Sequence, residues 1–173
     1  ACPMTAIDVL RSAFGGAHHW YQGTVADITA DQANHLPPGI AHPIGSQMAH
    51  ILHSEDMMVG MLSGAPTLWE SQGWGQKLGL PMLSSQTTEG ARAFHCEPSQ
   101  LNDYCQAVFA HTDGYLSGLS AEDLDRPFDL SSWGMGAMPV GQILTTMLLG
   151  NTYAHTGEIS ALKGTLGLKG YPF

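Results

Sequence analysis

"NTYAHTGEISALKG", residues 151–164, decides how this chain is read. It sets Asn151, His155 and Glu158 at i, i+4 and i+7, and on a helix those positions lie along one face, a turn apart. Met147 and Leu148 precede them on that face, and Ile159 and Leu162 follow. A polar stripe continuous with an apolar one runs toward a core, where an imidazole or a carboxylate needs a partner. A metal ion, a hydrogen-bond network, or a carbonyl bonded to one core histidine would each supply it.

Outward from that stretch, the helical period recurs. Ile7, Leu10, Phe14, Tyr21, Val25 and Ile28 mark a first helix within "MTAIDVLRSAFGGAHHWYQGTVADIT", although Gly15, Gly16 and Gly23 each weaken it by about 1 kcal/mol relative to alanine. "NHLPPGIAHP" breaks the chain, and Pro43 suits the first turn of a second helix, "PIGSQMAHILHSEDMMVGMLSG", with Ile44, Met48, Ile51, Leu52, Met58, Val59 and Leu62 on one face. "PTLWESQGWGQKLGLPMLSS" reads as a long connection with a short helix inside, of the kind that often roofs a pocket. A third helix follows in "EPSQLNDYCQAVFAHTDGYLSGLS". "SAEDLDRPFDL" predicts a short helical turn after Ser120, and "SSWGMGAM" a loop. The last helix spans about 139–163, and "GTLGLKGYPF" is a tail. With no repeat or strand alternation in view, the expectation is all-α. It is one domain, 1–173, folded as an antiparallel four-helix bundle with long loops between helices.

Composition narrows the function. Fifteen acidic against 6 basic residues give a net charge of −9, which argues against nucleic acid or an anionic membrane as partner. Only 12% of the 173 residues are charged, and 43% are hydrophobic. The three cysteines, Cys2, Cys96 and Cys105, lack the spacing of a zinc knuckle or a disulfide framework, so reduced thiols in a cytoplasm are expected. No apolar run is long enough to span a bilayer.

Bundles build metal sites from side chains on facing helices. The second helix offers His50 and His53, and the fourth offers Asn151 and His155; i, i+4 spacing lets two side chains reach one ion. Glu158 is placed either to orient an imidazole or to pair with Lys163 or Arg126. Glu55, on an apolar face, is expected to brace His18 or His19, one of which must face water. Trp69, Trp74 and Trp133 are loop residues that either wall a pocket or cover bundle ends.

"MAHILHSEDMM", residues 48–58, and "HTGEISALKGTLGLKGYPF", residues 155–173, resemble the DinB/YfiT-like superfamily, which includes DinB-related metalloenzymes and the N-terminal domain of mycothiol-dependent maleylpyruvate isomerase. The likeness covers nearly the whole chain in helix order and length. It implies a four-helix bundle, frequently a homodimer. It also implies a divalent ion, zinc or nickel foremost, held by three side chains, here His50, Asn151 and His155. Asn151 stands where the pattern has His. The amide is a poorer ligand, and His53 is the substitute within reach. The implied function is a divalent-metal-dependent enzyme acting on a small molecule, with thiol-dependent transfer or isomerisation in the family's range and a low-molecular-weight thiol as second cofactor. The alternative is a noncatalytic bundle that binds a small ligand or serves as a structural dimer, its metal site degraded at Asn151.

Overall fold

The computed structural model describes residues 2–80 and 87–173, so residues 81–86 of the long central connection lie outside the described residues. α1 (Ala6–Val25) starts at a capping box in which Thr5 and Asp8 bond each other's backbone amides, which satisfies donors that a helix start leaves open. Its glycines do not break it, because Leu10, Phe14, Ala17, His18 and Tyr21 bury one continuous face. A short α2 (Ala30–Asn34) leads to α3 (Ile44–Ser63), with Pro43 at its N-cap. α3 stops at Gly64, whose φ of 73° is the left-handed conformation that a side chain resists.

The connection after α3 is more helical than its sequence suggests, with α4 (Leu68–Ser71), α5 (Trp74–Leu78) and α6 (Thr88–Ala93). Trp69 and Trp74 are thus helical residues, and both rings pack on Tyr104, over one end of the core. A 3-10 turn, Pro98–Leu101, opens α7 (Asn102–Ser117).

"SSWGMGAM" proves to be the end of a hairpin, not a plain loop. β1 (Pro127–Asp129) pairs antiparallel with β2 (Ala137–Pro139), Phe128 opposite Met138. Three-residue strands are too short for alternation to register in a sequence. α8 (Val140–Gln142), a π-helical stretch (Ile143–Leu149) and α9 (Gly150–Thr165) then run on in helical conformation as the fourth long rod.

The four rods make the all-α bundle, and the contacts between them give its directions. Tyr21, late in α1, shares a core cluster with Met48 and Ile51, early in α3, while Leu10 and Phe14 meet Met58 and Leu62. α1 and α3 therefore run oppositely. Leu101 and Cys105 join the Met48 end and Leu116 the Leu62 end, so α7 runs with α3. Leu148 and Ile159 place α9 alongside α1's direction. α1 packs on α7 and α9, and α3 packs on the same two. The antiparallel relation thus holds between two parallel pairs, and joining α3 to a parallel α7 is why the connection between them is long.

Candidate functional site

α3 and α9 face each other in opposite directions, and that seam collects the residues singled out from sequence. The His50 and His155 rings meet edge to face with centroids 4.6 Å apart. Asn151, one turn before His155, lies beside the His50 ring. His50, Asn151 and His155 are therefore one cluster. His53 stands apart from it, its ring 6.3 Å from that of Trp69.

His155 is held by its Nδ1, which lies 2.7 Å from Glu158 Oε2 and 3.1 Å from Gln47 Oε1. Of the two roles open to Glu158, orienting the imidazole is the one the geometry realises, since Lys163 pairs with Asp27 and Arg126 with Asp123. Glu158 is over half exposed, so this pair is a positioning contact more than a source of stability. Burial, and next the neighbouring His155, hold His50 below the usual imidazole value, with the nearby Asn151 amide opposing. His50 is thereby neutral at pH 7 and keeps a nitrogen lone pair.

Two cavities flank the pair. One, of about 410 Å³, is lined by His42, Gln47, His155 and Glu158 with Ala161, Leu162 and Thr165. The other, about 150 Å³, lies on the Asn151 side, walled by Met57, Met58, Met147, Leu148 and Trp133. Trp133 is the tryptophan that reaches a cavity beside the cluster, carried there by the β1–β2 hairpin.

Toward an ion the cluster could offer two imidazoles and one amide. Two imidazoles on facing helices are good donors, and a His whose far nitrogen meets a carboxylate is oriented as metal-bound histidines commonly are. Asn151 supplies an amide where a third imidazole would make the set strong, and among the described residues no three His, Cys, Asp or Glu side chains are grouped to hold a metal. The thiols do not help: burial pushes Cys96 up to about 11 and Cys105 up to about 12, so neither is a thiolate at neutral pH.

Gln47 and Ser54 were not singled out from sequence, although both flank His50 at helical spacing. Ser54 Oγ is 3.4 Å from the His50 ring. The signal was there in Gln47-x2-His50-x3-Ser54, which puts all three on one face of α3. Glu55 has the bracing role expected of it: its Oε1 is 2.6 Å from His18 Nε2, His18 stacks on Phe109 at 3.6 Å, and His19 is exposed.

A family description, the DinB superfamily, matches residues 14–159. The chain belongs to the DinB superfamily. This DinB-superfamily chain is also similar to a solved structure titled the crystal structure of the conserved protein of locus from Enterococcus faecalis. The two are 23% identical, with a TM-score of 0.81 over 95% of this chain and 99% of that one, a likeness that shows the fold. No curated protein matches it. Among the described residues, no helix is long and apolar enough to cross a membrane.

Proposed function

We propose that this bundle is a divalent-metal-dependent enzyme acting on a small, partly apolar molecule, with His50 and His155 as its principal ligands and Asn151 at the third position. The observation that supports it is the meeting of two imidazoles from facing helices, 4.6 Å apart, with His155 braced by Glu158. A bound zinc or nickel would supply Lewis acidity and a means of lowering the pKa of water or of a thiol. The chain's own residues do the rest. Glu158 and Gln47, both acceptors at Nδ1, favour the His155 tautomer that carries its proton there and its lone pair on Nε2. His50, kept neutral by burial, holds its lone pair ready. His42 and Glu158 line the larger cavity, within reach of a bound molecule's polar end, while Ala161 and Leu162 take its apolar part.

Elemental analysis of untagged protein, purified without chelator beside a His155→Ala variant, tests this reading. About one equivalent of zinc or nickel, lost in the variant, is expected. Native protein that stays metal-free after ions are added back would refute it. That outcome favours the second reading, a ligand-binding bundle without catalysis, which the single amide at Asn151 supports.

A further inference from the structure

Across α3 from the histidine seam lies a cavity that the metal reading does not use. It opens where the end of α1 meets the start of α7, and its volume of about 390 Å³ falls in the range of small-molecule sites. Met48 of α3 reaches it, whereas His50, two residues on, projects about 200° away around the helix, toward His155. The floor is buried and formed by Tyr21, Ile28, Met48, Leu101 and Cys105. Burial raises the Tyr21 phenol and pushes the Cys105 thiol up to about 12, so both stay neutral at pH 7. The rim is polar. Gln22 follows Tyr21 at the end of α1, and Ser99, Asn102 and Gln106 stand at i, i+3 and i+7, on one face of the 3-10 turn and α7. All four are exposed. Among the described residues that line the cavity there is no Lys, Arg, His, Asp or Glu. The lining therefore offers donors and acceptors without a charge.

We propose that this α1–α7 cavity is a second small-molecule site, specific for an uncharged ligand with an apolar ring for the buried floor and an amide group for the Gln22–Asn102–Gln106 rim. An ion brought there gives up part of its hydration and meets no opposite charge in the lining. An anion is opposed further by the net charge of −9. A neutral amide instead exchanges its bonds to water for equivalent bonds to side-chain amides, each both donor and acceptor, while its ring covers the apolar floor. The selectivity differs in kind from that of the larger seam cavity, whose lining includes His42, His155 and Glu158. Because the two cavities lie on different faces of α3, this inference does not rest on the proposed metal centre.

Benzamide, benzoate and benzylammonium share a ring and differ in charge. Each is titrated into the full chain, treated with chelator so that no ion draws benzoate to the seam. Binding is followed by the Met48 methyl and the Gln22, Asn102 and Gln106 side-chain NH2 resonances. Benzamide should move these resonances and bind about tenfold more tightly than either ion. Gln22→Lys combined with Gln106→Lys, both at exposed positions, should turn the preference to benzoate. Three results would overturn the proposal: no saturable benzamide binding or shifts confined to the seam cavity of His155 and Thr165, either ion bound as tightly as benzamide, or a double variant that still prefers benzamide. None of them turns on whether His50 and His155 bind an ion.

Discussion

Glu158 touches no expected ligand position other than through His155 Nδ1, 2.7 Å away, so its contribution is the orientation and basicity of that ring. Glu158→Gln should lower zinc affinity by about 10- to 100-fold without changing the number of ions bound, measured by calorimetric titration. His50 sets a pH dependence. Its folded-state value lies below its unfolded one, so the unfolded chain binds more protons between the two, and stability rises with pH through that window. Urea midpoints of chelator-treated protein should climb as the pH rises toward about 6.5, the ordinary imidazole value, and level off above. His50→Gln should flatten part of the climb, with His53, also lowered by burial, keeping the remainder. The buried His18–Glu55 pair makes a different prediction. Removing either partner alone strands a buried polar group and should cost about 3–5 kcal/mol in urea unfolding, whereas His18→Phe with Glu55→Leu should cost less than the two singles summed. At this scale the sequence carried much: the spacing of Asn151, His155 and Glu158 and the inward turn of Glu55 were all visible. The choice of His18 over His19 was not, since either could face inward until the packing of Phe109 is known.

The elements were legible where the apolar period was long. α1, α3, α7 and the last rod fall where Leu10, Ile51, Val108 and Ile159 predict. The hairpin was hidden by its shortness, and the π-helical stretch Ile143–Leu149 by the identity of its residues, which an α-helix accepts equally. That stretch ends two residues before Asn151, so the facing of Asn151 and His155 is set by a wider turn than periodicity assumes. The last residues read from sequence only as a tail, and in the fold Tyr171 and Phe173 pack on Trp20, and Pro172 occupies the space a side chain at Gly23 would need, 2.7 Å from an added Cβ. A helix-weakening glycine is there because another segment lies against it. Gly23→Ala, which propensity alone would make stabilising by about 1 kcal/mol, should instead dislodge the tail and shift Trp20 emission to longer wavelength. An unchanged emission spectrum would show that the tail gives way without leaving the ring.

At the scale of the whole molecule, the fold is a DinB-superfamily bundle in which parallel pairs α1/α9 and α3/α7 oppose each other. That arrangement makes α3 and α9 antiparallel neighbours and so brings residues far apart in sequence into contact, such as Gln47 and His155, 108 positions apart. No local pattern could state that pairing; it came from the resemblance and is realised by the packing. A small molecule is the partner we propose for the seam's modest cavities, and a net charge of −9 argues against nucleic acid in its place. The central claim is that His50 and His155 together form a metal centre, and a cobalt(II) titration of chelator-treated protein tests it most directly. Visible d–d absorption that saturates near one equivalent in the native protein, and that is absent from the His50→Ala/His155→Ala double variant, is the predicted result. Absorption that never departs from that of aqueous cobalt, or that persists undiminished in the double variant, would contradict it.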